Sequence, residues 1–191
     1  MTRHEEDLGA VRRCLEHEPA AFRELVERYK NQIFSFILRL VANPSDAEDL
    51  AQETFIKAFK NLSSYDPGHA FITWLFKIAH NTTIDFMRAK KPGTVSIHDE
   101  ENPVDLEEPG QPPEGALAAV LQAAFIEKLL VALPPLYKEI LILRHKEGWD
   151  LKEISRILDI PEGTVKVRLF RARGMLQQEL AVPGRGGGAR A

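Results

Sequence analysis

The chain has 191 residues, 44% of them hydrophobic and 28% charged, with a formal net charge of −3; such a balance excludes fibrous and low-complexity classes and leaves one or two ordinary globular domains. Its longest apolar runs, such as Ile140 to Leu143, fall far below the roughly 18 residues of a spanning helix. Met1 to Asp7 lacks the apolar core of a signal peptide, and the one cysteine, Cys14, cannot form an internal disulfide, so the expectation is a cytoplasmic protein that is not itself a membrane protein.

The net charge hides a segregation. Acids gather between Asp46 and Glu53 and between Asp99 and Glu114, whereas bases gather between Arg88 and Lys91 and between Lys166 and Arg173. Local patches of this kind, rather than the total, select partners.

From Ala21 to Leu40, Phe22, Leu25, Val26, Tyr29, Ile33, Phe36, Ile37 and Leu40 recur at three- and four-residue intervals, predicting a long amphipathic helix that ends at Asn43-Pro44. Ser45 followed by Glu48 fits a capping box, which would start a second helix running through Leu62. Leu50, Ala51, Phe55, Ala58, Phe59 and Leu62 form its apolar face. Its other face opens with Asp46, Glu48, Asp49, Gln52 and Glu53, which is either the dipole-favoured solvation of a helix N-terminus or a docking surface for a basic partner.

Asn61 to His69 has the turn chemistry of a loop. A third helix is expected from Phe71 to Lys90, with Phe71, Trp74, Phe76 and Phe86 interleaved among Lys77, His80, Asn81, Thr82, Thr83, Asp85 and Arg88. Rings among cations and amides suit unstacked bases. Trp74, Leu75 and Ile78 are nevertheless expected to pack inward. Periodicity stops after Lys90-Lys91-Pro92-Gly93, and the segment through Gly115, rich in proline, glycine and acid, reads as a flexible linker.

Ala116 to Leu133 and Leu136 to Lys146 are expected helices separated by Pro134-Pro135, and Gly148 ends the second of them. Leu151, Ile154, Ile157 and Leu158 then recur at helical spacing, followed by Asp159-Ile160-Pro161 as a turn and a basic helix starting near Pro161. On that helix Val165, Leu169, Ala172 and Leu176 share one stripe, and Val167, Phe170, Arg171 and Gly174 face away, flanked by Lys166, Arg168 and Arg173. This is the layout of a helix-turn-helix duplex reader. The tail from Pro183 is expected to be disordered. The fold class is therefore all-α: an N-terminal helical bundle (1–92), an acidic linker (93–115), a C-terminal helix-turn-helix domain (116–180) and a tail (181–191).

Two blocks carry a family resemblance. SDAEDLAQETFIKAFKNL with FITWLFKIAHNTTIDFMRAKK resembles the second conserved region of bacterial sigma factors of the extracytoplasmic-function type, in the sigma-70 superfamily; LPPLYKEILILRHKEGWDLKEISRILDIPEGTVKVRLFRARGML resembles the fourth. The resemblance implies a dissociable RNA polymerase subunit that selects and melts promoters. It implies that Asp46, Glu48, Asp49, Gln52 and Glu53 dock on core RNA polymerase. Ser63, Ser64, Tyr65, His69, Trp74, Lys77, His80, Asn81, Thr82, Asp85 and Arg88 would recognise the minus-ten element and hold it single-stranded. Thr164, Lys166, Val167, Arg168, Phe170, Arg171 and Arg173 would read the minus-thirty-five element as duplex. Linker carboxylates Asp99, Glu100, Glu101, Asp105, Glu107 and Glu108 would thread through the cationic channels of polymerase, and an anti-sigma factor would hold the chain inactive.

Two other classes compete. Cys14 and His17 bring a thiol near an imidazole, but a metal site needs three or four ligands and no second cluster is visible. No phosphate-cradling glycine motif occurs, so neither an enzyme nor a cofactor is expected. An independent transcription regulator is the stronger rival; it would dimerise and bind palindromic operators without polymerase.

Overall fold

The computed structural model describes residues 2–90 and 133–181, with side chains to 178. The acidic linker, most of the helix expected over Ala116 to Leu133 and the tail from Pro183 lie outside the described residues. The described elements are helical throughout, in seven α-helices and short tighter or wider turns.

The first helix, α1 (Arg3–Leu15), occupies a region where no core element was expected. Its signal is local: the Thr2 hydroxyl accepts from the Glu5 N–H at 3.3 Å, and the Glu5 carboxylate accepts from the Thr2 N–H at 2.7 Å. That capping box satisfies two orphan donors, and acids in the first turn with bases in the last suit the helix dipole. Only Ala10 and Val11 give α1 a deeply buried apolar edge. A buried acid completes its docking: Asp7 accepts from the Tyr29 hydroxyl at 2.5 Å and pairs with Arg28.

Helix α2 (Phe22–Val41) follows the predicted stripe and ends at Ala42, whose left-handed φ of 57° turns the chain. Helix α3 (Pro44–Lys60) is capped by Asn43, not Ser45: the Asn43 side chain accepts from the N–H groups of Ser45 and Asp46 at 3.0 and 3.1 Å. Pro44 decides this, because its missing N–H and fixed φ suit the first helical position and so place the cap one residue earlier. The α-helix stops at Lys60 rather than Leu62, and a 3-10 turn covers Leu62–Ser64. Helix α4 (Phe71–Lys90) matches its expected span. Tyr29, Phe36, Phe71, Phe76, Leu25, Ile33, Ile37 and Leu75 are fully buried where these helices meet, with Phe36 and Phe76 ring centroids 5.0 Å apart.

In the C-terminal part, Pro135 opens α5 (Pro135–Leu141), which widens into a π-helical turn at Ile142–Lys146 instead of continuing as α-helix. Gly148 takes φ 75°, a conformation that favours glycine, and reverses the chain toward Trp149. Asp150 caps α6 (Leu151–Leu158) by accepting from Glu153 N–H at 2.7 Å, and Asp159 ends it in the left-handed region. The Ser155 hydroxyl donates to the Ile160 carbonyl at 2.6 Å, closing the turn before α7 (Glu162–Ala181). Val165, Leu169, Ala172 and Leu176 are buried as the periodicity requires.

The two parts pack together along α4 and α6, and apolar contact is continuous between them, with the Trp149 ring edge-on to Phe76 at 5.6 Å. Around that contact the seam is polar. Gln32 donates to Glu147 at 2.9 Å and Arg39 lies 3.3 Å from the same carboxylate; the Thr73 hydroxyl donates to Glu153 at 2.7 Å; Lys77 pairs with Asp159 at 3.2 Å.

Candidate polymerase and promoter interfaces

Three surfaces carry the residues singled out by the sequence. The first is an open groove of about 530 Å3 between α2 and α3, lined by Val26, Lys30, Asn31, Phe34, Glu48, Ala51, Gln52, Phe55 and Ile56. Glu48 and Gln52 thus rim an apolar floor, and Ile56 projects half-exposed beside it. Asp49 is exposed on the same helix, while Glu53 is tied to Lys57 at 2.8 Å and Asp46 to Lys90 at 2.7 Å. Phe59, expected on the buried stripe, is 44% exposed, and its ring meets that of Phe22, the first residue of α2, edge-on at 5.2 Å. Leu15, Ile56 and Phe59 are the large exposed apolar side chains among the described residues of this domain.

The second surface is α4 with the loop before it. Ser63 and Ser64 are exposed, and Tyr65 is buried, its hydroxyl donating to the His69 carbonyl. Burial, followed by the negative charges of Asp7 and Asp66, pushes the Tyr65 hydroxyl up to about 12. The loop is held by Asp66, which accepts from Gly68 N–H at 2.9 Å and sits 3.1 Å from His69; the Gly68 bond and the nearby imidazole hold its carboxyl below the ordinary range. Trp74 is half-buried between Tyr65 and Phe71, each with its ring centre 5.5 Å away. Asn81, Asp85 and Arg88 are exposed. Two expected readers face inward instead. Thr82 is buried and accepts from Lys57 at 3.2 Å, and His80 is buried with Nδ1 3.2 Å from a Glu139 oxygen, near enough to pair but not aligned for a hydrogen bond.

The third surface is α7. Lys166 and Phe170 are exposed, the latter by 41%; Thr164, Val167, Arg171 and Arg173 are half-buried. Arg168 is buried on the other side of the helix from Phe170 and engages the protein itself. Lys166, Phe170 and the outer part of Arg171 therefore form the accessible ridge, the arrangement phosphate and base-edge contacts in a major groove require.

Comparison with known proteins places both halves. Residues 25–92 match Sigma-70 region 2, and residues 126–176 match Sigma-70, region 4. The ECF RNA polymerase sigma factor SigW of Bacillus subtilis is 37% identical over 169 residues, covering 84% of this chain and 89% of the relative. The chain belongs to the ECF RNA polymerase sigma factors. A sigma-E factor of Haemophilus influenzae is 33% identical over 181 residues, covering 91% and 95% of the two chains. The fold agrees with that of solved sigma factors: RpoE in complex with the anti-sigma factor NepR from Bartonella quintana has a TM-score of 0.61 at 26% identity, covering 85% of this chain and 98% of that one. CnrH, solved with the cytosolic domain of CnrY, has a TM-score of 0.68 at 23% identity and covers 94% and 99% of the chains, a likeness of fold.

As an ECF sigma factor the protein is a transcription initiation factor that binds core RNA polymerase and promoter DNA, the latter in part through the helix-turn-helix of region 4. No helix among its described residues is long and apolar enough to cross a membrane. The carboxylates Glu139, Glu147, Glu153 and Asp159, which meet α4 and α2 of this sigma factor, had no sequence signal. Their partners lie 80 and more residues away for Glu153 and Glu147, beyond the reach of any helical-spacing argument.

Proposed function

We propose that the sigma factor divides its work among the three surfaces, in the cytoplasm and with no catalytic chemistry of its own. The domain at 1–92 docks on core polymerase through the α2–α3 groove and the acidic start of α3, and grips the minus-ten element through the loop 63–69 and α4. The domain at 116–180 reads the minus-thirty-five element with α7, and the acidic stretch 93–115 links them. The observation that carries this division is the groove: an apolar floor rimmed by Glu48 and Gln52 suits an amphipathic partner with basic flanks, and it lies apart from both candidate DNA surfaces. An anti-sigma partner controls the chain; the support is that RpoE of Bartonella quintana, 26% identical, was solved with one.

The test is reconstitution with core RNA polymerase. The purified chain should co-elute with core and direct runoff from a set of genomic promoters, and Gln52→Arg with Ile56→Glu should abolish co-elution while leaving helix content unchanged. Failure of the wild-type chain to co-elute or to direct any runoff would overturn the proposal. Asn81→Ala should keep upstream duplex binding by the holoenzyme and reduce permanganate reactivity of the bubble; a normal bubble would remove Asn81 from the melting surface.

A further inference from the structure

Helix α1 lies before the residues that match Sigma-70 region 2, which begin at 25, and the three surfaces leave it without a task. Of its apolar side chains only Ala10 and Val11 are deeply buried, yet it packs against α2, α4 and the 3-10 turn Leu62–Ser64 that opens the loop before α4. The polar side chain it sinks into the bundle is Asp7, 2% exposed. The two oxygens of that carboxylate take different donors: Oδ1 pairs with Arg28, and Oδ2 accepts from the Tyr29 hydroxyl at 2.5 Å. A carboxylate engaged at both oxygens fixes the direction of its partners as well as their position.

From Tyr29 the contact passes ring to ring. Tyr29 lies beside Phe71 with centroids 6.0 Å apart; Phe71 meets Tyr65 at 5.4 Å and Trp74 at 5.5 Å; Tyr65 and Trp74 meet at 5.5 Å. Tyr29, Tyr65 and Phe71 are buried, whereas Trp74 is half-exposed, so the series of rings that starts at Asp7 surfaces at Trp74. Tyr65 also pins the loop through its hydroxyl bond to the His69 carbonyl. Asp7 lies close enough to Tyr65 that its negative charge, after burial, helps to hold the hydroxyl proton on. A ring backed by two buried rings and partly open to solvent is a platform for an unstacked base.

We propose that Asp7 is a positioning residue for promoter melting: it orients Tyr29, and through Phe71 and Tyr65 it sets the tilt of Trp74 and the shape of the loop 63–69, against which a base extruded from the minus-ten element comes to rest. The inference rests on that loop and α4 being the minus-ten surface. Asp7 itself touches no DNA. Its effect falls on the step at which the base leaves the stack, because a platform already in place offsets the cost of unstacking. Docking through α3 and duplex capture by α7 do not depend on it.

The test uses holoenzyme reconstituted from core polymerase and the full chain, on a promoter from the runoff set carrying fluorescent aminopurine at one minus-ten position of the non-template strand at a time. Asp7→Ala should leave core co-elution and initial promoter binding unchanged and slow the fluorescence rise about tenfold, the order of one lost stacking contact. Asp7→Asn, which keeps an acceptor for Tyr29, should restore most of the rate; Tyr29→Phe, which keeps the ring and drops the hydroxyl, should be slowed as Asp7→Ala is. Val11→Ala loosens the same helix at its apolar edge and is the control, expected to melt the promoter at the wild-type rate. If Asp7→Ala slows melting no more than Val11→Ala, or if Asp7→Asn is as slow as Asp7→Ala, Asp7 merely holds α1 in place and the inference fails. Trp74→Ala separates this from the reading beneath it. An impaired Trp74→Ala beside a normal Asp7→Ala overturns the positioning role alone, whereas a normal Trp74→Ala overturns the platform and the role of Asp7 together. Should circular dichroism show Asp7→Ala unfolded, Tyr29→Phe against Val11→Ala decides in its place.

Discussion

The interior of the α1–α4 bundle and the seam between the two domains are both built on α4, yet their chemistry differs. Toward α2, α4 presents Phe71, Leu75, Phe76 and Ala79, all wholly buried among Tyr29, Ile33, Phe36 and Ile37. Toward the C-terminal domain it presents Thr73, Lys77 and His80 to carboxylates, with one aromatic contact, Phe76 to Trp149, at the boundary. Apolar burial yields stability in proportion to area and has no competitor in solution, whereas an exposed ion pair of the seam, such as Lys77 with Asp159, is readily replaced by water or by another ion. Two faces of one helix thus serve two purposes: one holds the domain together, and the other joins it to the C-terminal domain.

The sharpest way to break this comparison is to excavate the interior. Phe36→Ala should lower unfolding free energy by about 3–5 kcal/mol, since it deletes a fully buried ring packed on Phe76. Urea titration followed by circular dichroism checks it, and a loss below about 1 kcal/mol would place the core elsewhere. Next in size is Asp7→Ala, at about 2–3 kcal/mol, because it strands the buried Tyr29 hydroxyl and the Arg28 guanidinium. Its loss should appear as exchange of α1 amides before global unfolding, showing that a polar cluster can act as interior when every member is satisfied.

That cluster also explains what the sequence disclosed and what it withheld. Helices α2, α4, α6 and α7 were legible because each carries a continuous apolar stripe at helical spacing, and most of each lies within the residues that match Sigma-70 regions 2 and 4. Helix α1 was not, since Ala10 and Val11 are too little apolar surface to register and its anchor is the acid Asp7; the Thr2 and Glu5 pair was the available cue. The cap at Asn43 was misplaced to Ser45 because both are good cap residues, and only Pro44 separates them. At the candidate sites, the acidic and amide residues of α3 and the cationic ridge of α7 were legible as faces. Their pairing was not: Thr82 turns toward Lys57 and His80 toward Glu139 because α4 is packed on two sides, and periodicity within α4 cannot reveal what a segment some 60 residues on brings to its second face.

Smaller changes sharpen the contrast. Gly148→Ala meets no atom within 4 Å, so its cost is purely that of holding an L side chain at φ 75°, about 1–2 kcal/mol. It should loosen the placement of Trp149 against Phe76 and raise acrylamide quenching without unfolding the bundle. On the interior side, the Tyr65 hydroxyl, raised from 10.0 to about 12, binds its proton more tightly folded than unfolded. The stability this supplies is fully present below pH 10 and is lost as pH rises through 12. Tyr65→Phe should cost about 1 kcal/mol at neutral pH, from the lost bond to the His69 carbonyl, and should flatten part of the alkaline decline. Tyr29, raised in the same direction by burial and Asp7, should account for the rest.

The smallest effect on folding is expected at the seam itself. Glu147→Gln keeps a group that can still accept from Gln32 but removes the attraction to Arg39, whose side chain is 25% exposed at 3.3 Å. Unfolding free energy should fall by less than about 1 kcal/mol, and the difference should shrink as salt is raised toward the point where the screening length falls below the pair's separation. Quenching of Trp149 should rise by a proportionally larger amount, because a pair worth little against the whole fold is a sizeable part of what holds the seam. If Glu147→Gln instead cost as much as Asp7→Ala, the seam would be interior in all but composition, and the separation of the two faces of α4 would not hold.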